Sequence, residues 1–330
     1  MELLSPAGSM KSIKTAIFSG ADSVYFEIAG KSNMRDDMFN LSMSEAKDAI
    51  RICRRNSVKA YITLNTPILE SGFGQATKEA SAVIGLEPDA IIVSDLGLMR
   101  WVHDKHPHAR MHASIQAGTC NSRSARVLKS LGASRVVLER ILSIDEARHI
   151  RNAGVEIEMF AFGPMCYSFD SLCFLGQYFN GKTCGNMCMK RWASEGGRLR
   201  YLFMKYQSGL GLIPSFAESG IDALKIEGRT RSSAYVRRVV STFRKAIDEY
   251  EANGSLGSHP EWHEELRKAA LYFEVNDGFL GGTYERVYVP SSFSTKSKLA
   301  YVKDLITQLC DKKSIRDTWR KLMIAVDVDA

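Results

Sequence analysis

Short apolar segments, rich in β-branched residues, alternate with amphipathic segments along about the first 250 residues of the chain. Such runs predict β-strands, and the segments between them have the spacing of amphipathic helices. The eight predicted strands are Glu2–Leu4, Ser23–Ile28, Val58–Asn65, Asp89–Asp95, Met111–Gln116, Ser134–Arg140, Val155–Gly163 and Ile221–Gly228. The helices predicted between and after them are Met10–Phe18, Ser44–Arg55, Gln75–Ile84, Leu96–His106, Asn121–Leu131, Ile144–Asn152 and Ser232–Glu251.

Alternation of strands and helices is typical of parallel sheets with crossover helices. Eight such units within about 250 residues favour an α/β fold of the (β/α)8 TIM-barrel type. A doubly wound open sheet is the alternative, although no glycine fingerprint follows the first strand. Two helix starts carry capping boxes, Ser42 with Glu45 and Ser143 with Glu146, and these set the phase of the pattern.

The pattern changes after Asn253. The remaining residues predict a helix at His259–Leu271, a loop at Asn276–Gly282 and a last helix near Lys298–Lys312. We therefore divide the chain into a barrel-like catalytic domain, residues 1–253, which includes a cysteine-rich segment at 162–192, and a small helical and loop appendage, residues 254–330, which packs on the barrel.

The composition is that of a globular protein. Of the 330 residues, 45% are apolar and 25% are charged. No apolar run reaches the length of about eighteen residues that a membrane span needs, and the N-terminus has no signal-peptide pattern, so we expect a cytoplasmic protein. The net charge of +7 permits an anionic partner, such as a nucleic acid or a carboxylate-bearing substrate.

Four of the seven cysteines follow the spacing Cys166-x6-Cys173-x10-Cys184-x3-Cys188. In a cytoplasmic protein such a group indicates metal ligands more than disulfides. Thiolates hold both zinc and iron–sulfur clusters, but zinc sites usually come as two short knuckles, and only the second pair has that form. The spacing therefore favours a [4Fe–4S] cluster, with zinc or four uncoordinated thiols as alternatives. The remaining cysteines are expected to be packing residues: Cys53, Cys120 and Cys310.

Polar side chains stand at nearly every predicted strand end. In a barrel the active site lies where the strands end and the βα loops begin. The polar residues at these ends include Glu27, Asn65, Gln116, Glu139, Arg140, Lys225, Glu227 and Arg229. The seventh strand leads into the cysteine-rich segment, so the cysteines are expected at the same mouth. For any single residue, an ordinary exposed loop position is the alternative.

Four segments form recognisable motifs: MELLSPAG at the start, GADSVY (Gly20–Tyr25), MFAFGPMC (Met159–Cys166) and KIEGRTRSSAYV (Lys225–Val236). These motifs resemble peptidase family U32, and within it the UbiU-like members. The resemblance covers about residues 1–250 and implies a TIM-barrel-like, oxygen-independent hydroxylase that carries a [4Fe–4S] cluster, despite the peptidase label. Such relatives act on the ubiquinone ring, on a tRNA uridine or on an rRNA cytidine, with prephenate as the hydroxyl donor in the RNA-modifying members.

The resemblance also implies the cluster ligands. Cys166 and Cys173 match the first two cluster cysteines of the family, and Cys184 and Cys188 match the pair of the RNA-modifying members and of UbiV. The UbiU-like members take their fourth ligand further downstream, but this chain has no cysteine between Cys188 and Cys310. The ligand pattern is thus of the RNA-modifying type, and the acceptor stays open between a quinone precursor and an RNA base.

For a hydroxylase, the charged strand ends imply roles. Arg229, Lys225 and Arg140 would bind a small dicarboxylate donor such as prephenate, because a guanidinium matches carboxylate geometry. Glu227 and Glu139 would act in proton transfer or hold those cations in place. A salt-bridge network that only supports the barrel is the alternative for the charged residues.

Asn65 and Gln116 would orient a polar substrate by hydrogen bonds.

Two other classes of function stay open. A peptidase needs an activated nucleophile or a metal-bound water, but no HExxH or GxSxG motif is present, and His112 is the histidine nearest the candidate site. A noncatalytic, cluster-bearing subunit of a two-protein hydroxylase would lose its charged strand ends, which this chain keeps. We expect either a UbiV-like partner or a homo-oligomer.

Overall fold

The computed structural model describes residues 1–30, 40–166, 168–180, 184, 188, 191–193, 199–201, 205–271, 273–282, 303, 304 and 307. In chain order the strands are β1 (Glu2–Pro6), β2 (Ser23–Phe26), β3 (Lys59–Leu64), β4 (Ala90–Val93), β5 (Met111–Ala113), β6 (Ala133–Val137), β7 (Glu156–Pro164), β8 (Arg191–Ala193), β9 (Leu199–Tyr201), β10 (Tyr206–Ser208), β11 (Ala223–Ile226) and β12 (Val275–Asn276).

Strands β1 to β7 pair in sequence order, all parallel, and β11 pairs with both β7 and β1. Ala223 lies opposite Glu2 on one side of β11 and opposite Glu158 on the other, so the eight-stranded ring is closed. The predicted (β/α)8 barrel is therefore confirmed, and the open-sheet alternative is wrong. All eight predicted strands are the eight strands of the barrel.

The helices are α1 (Met10–Phe18), α2 (Met43–Arg55), α3 (Phe73–Ile84), α4 (Leu96–Lys105), α5 (Ser122–Ser130), α6 (Ile144–Ile150), α7 (Phe174–Asn180), α8 (Ile213–Glu218), α9 (Ser233–Asn253) and α10 (Pro260–Ala269). Both predicted capping boxes are confirmed. At the start of α2, Glu45 N donates to Ser42 Oγ at 3.2 Å, and Ser42 N donates to the Glu45 carboxylate at 2.8 Å. These bonds satisfy two backbone donors that the first helical turn leaves unpaired.

Alternate residues of the strands face opposite sides, as the period of two requires. Leu3, Val24 and Ile91 belong to the large core cluster between strands and helices. Their neighbours point into the barrel and form two smaller apolar groups. One group contains Leu4, Tyr25, Tyr61, Ala90 and Ile92, and the other contains Ile115, Val137 and Phe160. The barrel interior is thus packed below the mouth.

Strand β7 is longer than the other barrel strands and continues past the rim. Its last residues, Phe162–Pro164, pair antiparallel with β10, and β12 then pairs with β10 in parallel. The described parts of the cysteine-rich segment, α7 and the antiparallel hairpin of β8 and β9, lie in the chain between β7 and β10. The sequence pattern predicted neither α7 nor the short strands β8, β9 and β10.

After Gly254 the described residues include α10, which corresponds to the predicted helix at His259–Leu271. Leu266, Phe273 and Leu280 share the core cluster of the barrel domain, and Ile144 N donates to Leu280 O at 3.1 Å. The predicted last helix, Lys298–Lys312, lies almost wholly outside the described residues. The predicted division at residue 253 stays a prediction. None of the described helices combines the length and the apolar character needed to span a lipid bilayer.

Candidate active site

A cavity of about 900 Å³, including its open mouth, lies at the carboxyl ends of the barrel strands. Its walls contain ten of the eleven site residues predicted from the sequence. These ten are Asn65, Gln116, Arg140, Cys166, Cys173, Cys184, Cys188, Lys225, Glu227 and Arg229. The eleventh, Glu139, is buried beside the cavity. The fold therefore brings the cysteines and the polar strand ends together, as expected for the catalytic mouth of such a barrel.

The extension of β7 brings the first cysteine to the cavity mouth. Gly163, near the end of β7, has a φ of +155°, and a Cβ there would lie 2.6 Å from Cβ of Glu227. Only glycine therefore allows β7 to approach the end of β11 so closely. Cys166 follows two residues after the end of the strand.

Backbone amides donate to the sulfurs of the first two cysteines. Ser168 N lies 3.4 Å from Sγ of Cys166, and Gly176 N lies 3.4 Å from Sγ of Cys173. Burial, and then the charge of Asp170, raises the pKa of the Cys166 thiol. A thiolate at this position therefore requires a compensating positive charge, such as a metal centre supplies.

The four cysteine thiols at the cavity are the donors available to a cluster or to a zinc ion. The described cysteines form no disulfide. Within the described part of the chain, no three cysteine, histidine, aspartate or glutamate side chains converge to coordinate one metal ion. The chemistry still fits, because four thiols line one cavity and N–H donors to cysteine sulfur are a usual feature of iron–sulfur sites. The cluster and its zinc alternative both stay predictions.

Glu139 anchors the loop between the first two cysteines. Its two carboxylate oxygens accept hydrogen bonds from Asp170 N and Ser171 N, both at 3.2 Å. The side chain is 1% exposed. Bonds between a buried carboxylate and backbone N–H groups are charge-assisted and strong. The described contacts of Glu139 therefore position the cysteine loop, and among the described residues none supports its predicted role in proton transfer.

Arg140 connects the cysteine loop with the end of β11. Its guanidinium donates to Glu227 and to Pro164 O, and Nε lies 3.3 Å from the Asp170 carboxylate. It also covers the ring of Phe160, with 4.0 Å between Cζ and the ring centre. Burial alone would lower the pKa of Arg140, but Asp170 and Glu227 outweigh it and raise the pKa.

Arg229 is paired with Glu27, which follows β2. The two groups are 2.8 Å apart and each side chain is 3% exposed, although the contact is not directed as a hydrogen bond. The guanidinium also donates to the amide oxygen of Asn40. The alternative prediction that Glu227 or Glu139 holds Arg229 in place is wrong, because the guanidinium pairs with Glu27 after β2.

Lys225 lies at the cavity end of a buried series of ion pairs inside the barrel. Its ammonium lies 2.8 Å from the Glu158 carboxylate and 4.4 Å from the centre of the Tyr25 ring. Glu158 also accepts from Arg135 at 3.2 Å, and Arg135 donates to both carboxylate oxygens of Glu2 at 2.9 Å. Lys225 therefore links the cavity to an ion network at the amino-terminal end of the barrel.

The side of the cavity formed by β3 and the residues after β5 is polar but uncharged. Thr63 and Asn65 are 3% and 8% exposed, and Gln116 is half-buried. Thr63 Oγ1, Asn65 Oδ1 and Gln116 Oε1 are buried atoms with no hydrogen-bond partner among the described residues. We call Thr63, Asn65 and Gln116 the polar wall. Thr63 was missed from the sequence, although its alternation with Tyr61 and Asn65 places it on the inward face.

His112 is not available as a general base. It is fully buried inside the barrel, with its ring 4.8 Å from the ring of Tyr61 in an edge-on arrangement. Burial, and then the nearby charge of Arg135, lowers its pKa well below the ordinary value. The histidine is therefore neutral and enclosed, and does not line the cavity.

Comparison with known proteins identifies relatives of this chain. A family model described as peptidase family U32 matches residues 8–287. The tRNA hydroxylation protein P of Helicobacter pylori is 30% identical over 277 residues, covering 77% of this chain and 66% of the relative. This chain thus spans slightly less than two thirds of the length of that relative.

Two further relatives carry different names. A collagenase of Porphyromonas gingivalis is 29% identical over 311 residues, covering 86% of this chain and 73% of the relative. A 23S rRNA 5-hydroxycytidine synthase of Escherichia coli is 27% identical over 261 residues, covering 75% of this chain and 39% of the relative. Proteins named for RNA hydroxylation and for proteolysis are therefore similar to the same barrel.

Proposed function

We propose that this chain, which belongs to peptidase family U32, is an oxygen-independent hydroxylase that adds a hydroxyl group to a base of tRNA or rRNA. The observation that carries the proposal is the shared cavity, in which four cysteines meet the charged ends of the barrel strands. The names of the relatives from Helicobacter pylori and Escherichia coli support hydroxylation as the reaction class.

Cys166, Cys173, Cys184 and Cys188 would hold the cofactor, a [4Fe–4S] cluster, with zinc as the alternative. A bound cluster would supply one-electron chemistry at the cavity. Glu139 supports this role indirectly, because it fixes the backbone between the first two cysteines.

The charged residues of the chain would handle the hydroxyl donor. A small dicarboxylate such as prephenate would bind at Arg229, Lys225 and Arg140, with one of its carboxylates taking the place of Glu227 on Arg140. Glu227 is then the group released at the cavity, where it could accept a proton from the acceptor ring.

The acceptor in this proposal is an RNA base, and a ubiquinone precursor is the alternative that the UbiU-like sequence motifs leave open. The net charge of +7 is compatible with the polyanionic backbone of RNA. Activity would arise from a homo-oligomer or from a pair with a UbiV-like partner.

Proteolysis is the second candidate, and the collagenase relative is the observation in its favour. Within the described residues the cavity offers thiols but no histidine to activate them, because His112 is enclosed in the barrel. A thiolate that ligates a cluster is not free to attack a peptide. We therefore place proteolysis behind hydroxylation.

The test is the nucleoside content of tRNA and rRNA from anaerobically grown cells that lack the gene, measured by mass spectrometry. We expect one pyrimidine nucleoside with an added oxygen atom to disappear, to return with the wild-type gene, and to stay absent with Cys184→Ser. Unchanged RNA together with an accumulated, unhydroxylated quinone precursor would show that the acceptor is this precursor and not an RNA base. Unchanged RNA and quinones would contradict the hydroxylase proposal.

A further inference from the structure

The geometry points to the polar wall as the subsite that binds the hydrogen-bonding edge of the acceptor ring, the base of an unstacked nucleotide. This inference rests on the proposed function and adds which residues recognise the base. Thr63 lies in β3 and Asn65 follows the end of this strand, and both line the cavity. Gln116 lies in the turn after β5 and lines the same cavity.

Three buried oxygens of this wall have no hydrogen-bond partner among the described residues. A polar atom removed from water without a partner destabilises the folded state, so a bound water or a ligand usually supplies the missing hydrogen bond at such an atom. Three such atoms on one side of one cavity are therefore best explained by a ligand that supplies the missing bonds. Thr63 and Asn65 are more than nine-tenths buried, which makes their positions well defined.

The charges of the cavity favour a neutral ligand group at this wall. The described lining contains three cations, Arg140, Lys225 and Arg229, and three carboxylates, Glu27, Asp170 and Glu227. Each cation already has a carboxylate partner within 3.3 Å. No charged side chain belongs to the polar wall itself. A neutral ring can occupy this side without disturbing those pairs, whereas a second anion would find no unpaired cation there.

A nucleobase matches the chemistry of the wall. Its edge presents hydrogen-bond donors and acceptors side by side, and an asparagine or glutamine amide offers one of each in the same spacing. A threonine hydroxyl can serve as donor or acceptor. Recognition of a base in this way requires it to leave its stack, as enzymes that modify bases require in general. A quinone ring presents acceptors but few edge donors, so it would use the amides only in part.

Binding of short single-stranded RNA to the full chain tests the assignment. The probes are two fluorescent oligonucleotides of equal length, one with a central pyrimidine and one with an abasic site at that position. We expect the wild type to bind the pyrimidine probe about tenfold more tightly, as one or two well-formed hydrogen bonds provide. Thr63→Val and Asn65→Leu should remove most of this difference while leaving binding of the abasic probe unchanged.

Thr119→Val is the matched control. Thr119 Oγ1 is also buried without a partner among the described residues, but the side chain does not line the cavity. Both Thr63→Val and Thr119→Val should raise the melting temperature of the free protein, because each replaces an unsatisfied hydroxyl by a methyl group. Only Thr63→Val should change the preference for the pyrimidine probe.

The proposal is overturned if the wild type does not distinguish the two probes, if Thr63→Val keeps the distinction, or if Thr63→Val lowers the melting temperature while Thr119→Val raises it. The last result would mean that the hydroxyl has a structural partner. These outcomes are separate from the fate of the hydroxylase proposal. Base discrimination without any hydroxylated nucleoside in cells would contradict hydroxylation alone, and hydroxylation that persists in Thr63→Val and Asn65→Leu would contradict the polar wall alone.

Discussion

Arg229 and its partner Glu27 are among the most deeply buried charged groups at the cavity, each 3% exposed. The guanidinium contacts the Glu27 carboxylate and the Asn40 amide at the same time. Lysine has a point charge and cannot reproduce this forked contact. We expect Arg229→Lys to lower the free energy of unfolding by about 2 kcal/mol, measured by urea denaturation, because a buried pair is weakened.

Arg51→Lys is the control for this change. Arg51 pairs with Asp48 on the surface of α2, where the two side chains are 59% and 55% exposed. Exposed pairs contribute little, so this variant should stay within about 0.5 kcal/mol of the wild type. Equal stability of Arg229→Lys and the wild type would contradict the claim that the contacts of the Arg229 guanidinium with Glu27 and Asn40 stabilise the fold.

The sequence could place Arg229 at a strand end but could not assign its partners. Asn40 lies 189 positions away in the chain, and Glu158, the partner of Lys225, lies 67 positions away. The positions of the predicted strand ends indicate which residues lie at the barrel mouth. They do not indicate which of these charged residues form ion pairs with each other. The cysteines were easier to place, because the seventh strand leads directly into their segment.

At the scale of elements, the turn from β11 to α9 depends on Gly228. This glycine has a φ of +145°, and a Cβ would lie 2.2 Å from Cε1 of Tyr235. The Tyr235 hydroxyl donates to Glu227 O, so the clash would disturb the backbone of the site. We expect Gly228→Ala to lower the free energy of unfolding by about 2–4 kcal/mol, through strain at positive φ and overpacking.

Gly74→Ala gives the opposite expectation from the same type of substitution. Gly74 lies in α3, and no atom comes within 4 Å of the position of its missing Cβ. Alanine should stabilise this helix by about 0.5–1 kcal/mol, because it lowers the backbone entropy of the unfolded chain. Destabilisation of both variants to the same extent in thermal or urea unfolding would contradict the steric account of Gly228.

Periodic elements were predictable and aperiodic ones were not. The limits of α1 match the prediction, and the eight barrel strands differ from it mainly at their carboxyl ends. At these ends, residues such as Glu27 and Asn65 continue the strand pattern of the sequence, but they lie just beyond the last paired residue and line the cavity. The helix α7 and strands β8 to β10 were missed because the glycine- and cysteine-containing segment shows no sustained period.

At the scale of the whole molecule, a buried ion network ties β1, β6, β7 and β11 together. Burial raises the pKa of Glu2, but the hydrogen bond and charge of Arg135 outweigh this, and the pKa lies well below its ordinary value of 4.5. The unfolded chain therefore binds a proton near pH 4.5, whereas the folded protein does so only at much lower pH. The stability from Glu2 is complete above about pH 4.5 and is lost as the pH falls below it.

Glu2→Gln should therefore be less stable than the wild type by about 3 kcal/mol at neutral pH, and the difference should shrink as the pH falls below about 4.5. Urea unfolding at a series of pH values measures this. Asp48→Asn, which changes an exposed carboxylate, should run parallel to the wild type. A constant gap between Glu2→Gln and the wild type down to pH 3 would contradict the lowered pKa.

The central claim is that the cysteines at the barrel mouth hold an iron–sulfur cluster beside the substrate cavity. Iron and acid-labile sulfide per chain, measured on anaerobically purified protein, test it most directly. We predict about four of each in the wild type, retained in Cys53→Ser and lost in Cys166→Ser and Cys184→Ser. One zinc per chain without sulfide, or iron that persists in the Cys166 and Cys184 variants, would contradict the account.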